Sequence, residues 1–142
     1  MIRLLNMDDY EAVYDLWSKT AGMGLRSLDD SYEGIERFLK RNPQTNFVYE
    51  KDGKIVGVIL CGNDGRRAYI YHATVDTNYR GCGIGKQLVD KVIAALKIIG
   101  INKVSLVVFK DNEIGNGFWE SIGFKNRNDL IYRDLMIESQ NI

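Results

Sequence analysis

The chain has 142 residues, of which 19 are lysine or arginine and 19 are aspartate or glutamate, so its net charge is zero. No whole-chain field draws it to nucleic acid or to an anionic membrane. The length suits one domain, residues 1–142, with a hydrophobic core built without disulfide or metal staples; Cys61 and Cys82 lack CxxC or Cys/His spacing, which argues against zinc and for a reducing cytoplasm.

Near the N-terminus "IRLL" reads as a short strand, and "NMDD" supplies Asn6 as a helix cap with Asp8 and Asp9 in the first turn. Tyr10, Val13, Tyr14, Trp17 and Ala21 then fall at helical spacing until Gly22 and Gly24 interrupt them. Ser27 is the expected cap of a second helix, "LDDSYEGIERFLKR", with Leu28, Tyr32, Ile35 and Leu39 on one side and Asn42-Pro43 as its stop. From Asn46 the period changes to that of strands. "NFVYEKDGKIVGVILCG" contains two β-rich runs joined by Asp52-Gly53, a hairpin signal.

A polar loop, "GNDGRR", leads to "AYIYHATV", a third long strand expected to run antiparallel to the second. Ile84, Leu88, Val92, Leu96 and Ile99 then mark an amphipathic helix that Gly100 can end, and "KVSLVVF" reads as a buried strand. Strand, crossover helix and strand form a βαβ unit, so 68–75 and 103–109 are expected to lie parallel. A helix over "NEIGNGFWESI", an exit at Gly123-Phe124 and a final strand in "LIYRDLMI" complete the chain. The expected class is α/β (α+β): a mixed, mostly antiparallel sheet with a central parallel pair and about four helices on both faces.

The helix beginning near Ile84 is preceded by glycines at 81, 83 and 85, flanked by Arg80 and Lys86. Helix N-termini leave N–H groups unpaired and carry partial positive charge, and glycine lets an anion approach the backbone. The dinucleotide pattern GxGxxG needs glycine at 86, where lysine stands. The pattern GxxxxGK[ST] needs glycine at 80 and Ser or Thr at 87, where arginine and glutamine stand. What fits is Arg80-x-x-Gly83-x-Gly85, directly after a strand and opening a helix.

This arrangement resembles the acyl-CoA pyrophosphate loop of the GNAT superfamily of N-acetyltransferases. "VDTNYRGCGIGKQLVDKV" is similar to that family's central motif, and "DNEIGNGFWESIGF" to its fourth-helix signature through Asn112, Trp119, Gly123 and Phe124. The resemblance covers most of the chain. It implies acetyl transfer from acetyl-CoA to an amine by direct attack, with no metal. Pantetheine would pair with the strand at Thr74, Val75 and Asp76, with the Val75 N–H as donor to the thioester carbonyl. The pyrophosphate would rest on Arg80, Gly81, Cys82, Gly83, Ile84, Gly85 and Lys86, and Asn112 would hydrogen-bond the cofactor.

One departure is chemical. Many relatives place at position 119 a tyrosine that protonates the leaving thiolate, and an indole N–H is too weak an acid for that. Trp119 therefore either packs against the pantetheine arm or is a core aromatic, with the proton coming from solvent or another hydroxyl. For the base, the strand offers Tyr69, Tyr71 and His72 but no carboxylate. Strand alternation puts His72 on the face opposite Tyr69, Tyr71 and Ala73, and this sole histidine is either base or structural. Substrate contacts are expected around Arg26, Asp29, Asp30 and Asp64, with Asp29 and Asp30 equally explained as first-turn acids and Asp64 as a turn residue. Cys82 reads as small filler or reactive thiol. The acceptor is an amine of a small molecule, peptide or protein, for a monomer or homodimer without nucleic-acid or membrane partners. A non-catalytic acyl-CoA sensor that lost its acid at Trp119 is the alternative.

Overall fold

Asp52 and Gly53 both adopt positive φ, 53° and 76°, which suits a tight hairpin turn whose twist matches its strands. The strands it joins are β2 (Phe47–Lys51) and β3 (Lys54–Asn63). This computed structural model describes residues 1–142. With β1 (Ile2–Leu4), β4 (Ala68–Val75) and β5 (Val104–Ser105), they form one sheet of order β1-β2-β3-β4-β5. The first three pairings are antiparallel and β4–β5 is parallel, joined by the crossover helix α3 (Ile84–Ile98).

Successive β3 side chains serve opposite faces, as strand geometry requires. Val58 and Leu60 pack with Val13, Leu16 and Trp17 of α1 (Tyr10–Ser18) and Ile35 of α2 (Tyr32–Arg41). Ile59 and Cys61 pack with Leu88, Val89, Val92 and Leu96 of α3, against which Phe118 and Trp119 of α4 (Glu113–Ser121) also rest. A Cβ on Gly57 would lie 3.0 Å from Leu88 and 3.1 Å from Ile84, so the missing side chain lets α3 seat closely on β3. At the N-terminus, Asn6 accepts from the Asp8 N–H at 2.9 Å, and Asp9 accepts from the Asn6 N–H at 3.0 Å. This reciprocal cap opens a 3-10 turn, Met7–Asp9, that leads into α1.

Five expectations need correction. The cap of α2 is Ser31, whose hydroxyl accepts from the Gly34 N–H at 3.0 Å, and not Ser27. Ser27 instead bonds the C-terminal segment, donating to Gln140 and accepting from the Ile142 N–H. Ala21 lies beyond the end of α1. The strand expected over 103–109 pairs only at Val104 and Ser105, opposite Ala68 and Tyr69; beyond that β4 has an open edge.

The last strand, in "LIYRDLMI", does not form. Ile131, Leu135 and Ile137 would share one face of a strand, yet all three are exposed, with no neighbouring element covering them. With no strand beyond β5, the parallel pair stands at the edge of the sheet and not at its centre. Besides the Ser27 bonds, the end of the chain is held by a buried side chain, that of Asn141. Asn141 Oδ1 accepts from the N–H groups of Leu28 and Asp29, both at 3.0 Å, and its Nδ2 donates to Asp29 at 2.8 Å.

Candidate active site

The loop from Arg80 to Lys86 presents an unbroken row of free donors. Arg80 N–H bonds the Thr77 carbonyl and Gln87 N–H the Gly83 carbonyl, while the six N–H groups between them, Gly81 to Lys86, have no protein acceptor. Gly81 and Gly83 stand at φ 78° and 79°, a region L-residues enter only with strain. They turn the chain into the mouth of α3, where the helix dipole adds positive character. The row is suited to a pyrophosphate, the fit that acetyl-CoA requires. Gly85 is different: it is helical, and a Cβ there would meet the Phe118 ring at 3.1 Å. Its bareness serves the packing of α4, while its N–H belongs to the free row. Lys86 Nζ is paired with Asp90 at 2.7 Å.

Upstream, the β4 backbone is open on one side. Asp76 N–H donates to the Val56 carbonyl, and the register sets Gly57 against Val75 and Val58 against Thr74. Bonded and non-bonded pairs alternate in an antiparallel ladder, so the N–H and C=O of Val75 turn away from β3, as do those of Ala73. They face the side where β5 pairing has already stopped. Arg80 Nε takes the Val75 carbonyl at 3.3 Å, which leaves the Val75 N–H as the exposed donor. The Asp76 side chain caps the following turn by accepting from Asn78. Thr74 is buried, its hydroxyl on Met23 Sδ at 3.7 Å.

Alternation along β4 breaks between Ile70 and Ala73. Cys61 pairs with Ile70 and Ile59 with Ala73, two residues of β3 spanning three of β4, a β-bulge. Its consequence overturns the expected separation of side chains. Tyr71 packs edge-on to Phe38 of α2 and Tyr69 stacks on Tyr71 at 4.7 Å, while His72 packs on Trp17 of α1 at 4.9 Å. All three therefore face the α1/α2 layer, and only Ala73 stays opposite. Burial, then the Asp29 carboxylate, raises the Tyr71 hydroxyl above its ordinary range; burial, then Tyr132, does the same at Tyr69. Both phenols remain protonated near neutrality, as hydrogen-bonding groups and not bases.

Facing them is the connection between α1 and α2. Asp30 is buried, with Oδ1 2.8 Å from His72 Nε2 and Oδ2 accepting the Arg26 N–H at 2.7 Å. Asp29 is held by Asn141. Neither acid lies in a helix first turn, since α2 begins at Tyr32. Arg26, Asp29, Asp30, Tyr71, His72 and Trp119 line one continuous cleft that also reaches the glycine loop. Asp64 lies outside it, its carboxylate accepting from Arg66 and Arg67 N–H groups of its own turn.

Trp119 packs against the core and stands at the edge of the cleft. It sits between Phe118 and Phe124, 5.0 Å from each ring. Asn112 caps α4, accepting the Gly115 N–H at 2.9 Å. Cys82 is exposed in the loop. Sequence reasoning missed the Asp30–His72 pair, the neighbouring Trp17 and the Ala73 edge; of these, only Ala73, two residues before Val75 on the same strand edge, carried a readable signal.

These features agree with the chain's relatives. The profile described as Acetyltransferase (GNAT) family matches residues 10–124. An acetyltransferase of Pectobacterium atrosepticum is 32% identical over 139 residues, covering 98% of this chain and 97% of that protein. Among solved structures, a metagenomic aminoglycoside acetyltransferase in complex with sisomicin superposes with TM-score 0.78 at 22% identity, covering 97% and 96% of the two chains. The PaiA N-acetyltransferase of Thermoplasma acidophilum in complex with coenzyme A does so with TM-score 0.76 at 21% identity, covering 88% and 89%. A sheet that opens beside β4 onto a glycine-lined helix mouth thus comes with matching relatives along nearly its whole length, and the chain belongs to the GNAT family of acetyl-CoA-dependent N-acetyltransferases.

Proposed function

We propose that residues 1–142 act as one domain that acetylates a primary amine of a small molecule, peptide or protein by direct attack within a ternary complex. The observation that carries this reading is the continuity of the open β4 edge with the free N–H row of Gly81 to Lys86. Acetyl-CoA supplies an activated acyl group as a thioester. The loop N–H groups would hold its pyrophosphate, and the edges of Ala73 and Val75 would align its pantetheine arm. The Val75 N–H, fixed by the ladder, is the donor for charge developing on the carbonyl oxygen; such a preorganised donor contributes about 10²–10³ in rate.

Direct attack is favoured over an acyl-enzyme because the cleft lacks an activated nucleophile. Cys61 is buried in the core and its thiol is pushed up to about 12, chiefly by burial. Trp119 offers no acid, so the leaving sulfur takes its proton from solvent. The acceptor wall combines the Tyr69 and Tyr71 hydroxyls with Asp29, groups able to orient a cationic amine.

Calorimetric titration with acetyl-CoA, followed by an assay of CoA release with a panel of amines, tests the reading. One-to-one binding with amine-dependent release is the expected result. Binding without release from any amine would favour a non-catalytic sensor, and no binding would overturn the assignment of the loop.

A further inference from the structure

His72 and Asp30 form a buried pair that the acetyl-CoA site does not account for. His72 is 9% exposed and Asp30 5%. Both Asp30 oxygens are engaged, Oδ1 by His72 Nε2 at 2.8 Å and Oδ2 by the Arg26 N–H at 2.7 Å. A carboxylate in that setting only accepts, so the ring proton of His72 belongs on Nε2 and the Nδ1 lone pair is free. Nδ1 is buried without a partner, and so is Trp17 Nε1 on the ring 4.9 Å away.

An unpaired donor and an unpaired acceptor on touching rings are complementary to one water, which would take the indole N–H and donate to Nδ1. A histidine kept only for packing would use both nitrogens. Leaving each group empty would cost its desolvation with no bond in return. Further along the same strand, Val75 supplies its N–H. Three residues of strand separate it from His72, roughly 10 Å along the chain, and both residues border the same cleft.

We propose that His72, oriented by Asp30, takes the proton of the incoming amine through this water, an inference that rests on the acetyl-transfer reading above. The amine arrives as an ammonium. One N–H bond breaks and its proton joins the water, which passes another to Nδ1; the imidazolium formed is balanced by the Asp30 carboxylate. The freed lone pair makes the N–C bond as the C–S bond breaks, its electron pair leaving on sulfur; the new amide nitrogen then sheds its second N–H proton to solvent, and the sulfur takes one proton from solvent. His72 then returns its proton to solvent through the same water. Asp30 is a positioning residue, holding the tautomer that leaves Nδ1 unprotonated.

His72 is the only histidine, so its ring nitrogens can be read directly by nitrogen-15 NMR. The wild-type protein should show the Nε2–H tautomer at mildly alkaline pH. Asp30→Asn, whose amide can donate to Nε2, should shift the ring toward Nδ1–H, as wrong-tautomer variants of His–Asp pairs do. Turnover is then followed as CoA release with ethylamine, protonated at neutral pH, and with hydroxylamine, which is neutral there. His72→Gln and Asp30→Asn should lose on the order of 10²-fold with ethylamine, and little with hydroxylamine, at unchanged acetyl-CoA affinity. Trp17→Phe, which keeps a ring but deletes the N–H, should show a smaller loss of the same kind.

An Nδ1–H tautomer in the wild type, equal losses with both nucleophiles, or no loss with ethylamine would overturn the proposal. Wild-type protein that bound no acetyl-CoA would overturn the transferase reading, and the role of His72 with it, whatever the tautomer.

Discussion

The ring of Phe118 occupies the space that a side chain on Gly85 would need, with two ring carbons 3.1 and 3.2 Å from the position of its Cβ. The third glycine of the loop is therefore a packing residue through which α4 seats on the mouth of α3. Gly85→Val should overpack this contact and lower stability by about 1–3 kcal/mol. Thermal unfolding measures that loss, and acetyl-CoA affinity should fall with it because α4 borders the cleft. A variant as stable as the wild type would mean that Phe118 swings aside freely.

Gly83 should behave in the opposite way. A Cβ there meets only the Gln87 amide, at 3.8 Å, so Gly83→Asp leaves packing intact and costs about 1–2 kcal/mol for a side chain at positive φ. Its carboxylate would stand among the free N–H groups and repel a pyrophosphate. The expected outcome is a folded protein by circular dichroism with no calorimetric signal from acetyl-CoA. Unchanged affinity would show that the N–H row holds no phosphate.

Gly83 and Gly85 also mark where sequence reasoning worked and where it stopped. Positive φ at Gly81 and Gly83, the Asp52-Gly53 hairpin and the α3 stripe are local matters, decided by a residue and its near neighbours, and these were legible. The cap of α2 was not, because Ser27 and Ser31 are chemically the same and the choice fell to Asn141 and Ile142, more than a hundred residues away. Strand alternation misplaced His72 because a bulge opposite Ile59 and Cys61 shifts the period. Its partner Asp30 lies 42 residues upstream, on a connection whose acids read equally well as helix caps.

Trp119 lies edge-on between Phe118 and Phe124, so replacing it separates packing from proton transfer. Trp119→Tyr keeps an aromatic ring in the row and should stay within about 1 kcal/mol of the wild type, the scale of one aromatic pair. It also brings a phenol to the cleft, where the proposed transfer would release its sulfur. If protonation of that sulfur limits turnover, kcat rises, with an upper bound of about 10²-fold from a positioned acid, at unchanged acetyl-CoA affinity. We expect the increase. Steady-state kinetics beside thermal denaturation would oppose the idea if kcat fell while stability held.

Arg3 grips Asp9 with both guanidinium NH₂ groups at 2.7 Å and reaches Glu50 through Nε, tying β1 to the start of α1 and to β2. Burial alone would push the Asp9 carboxyl up, but the Arg3 guanidinium and the Asn6 N–H outweigh it and hold the group below its ordinary value of 3.8. A carboxyl lowered on folding contributes stability that is complete above its unfolded value and disappears as pH falls through its folded one. Asp9→Asn should therefore be less stable than the wild type at neutral pH by about 2 kcal/mol, short of the 3–5 kcal/mol of a fully buried pair because the Arg3 side chain is 32% exposed. Urea midpoints of the two proteins should converge as the pH is taken from neutrality to below the ordinary carboxylate range. A gap that stayed constant with pH would assign the cost to the lost cap on Asn6 and not to the ion pair.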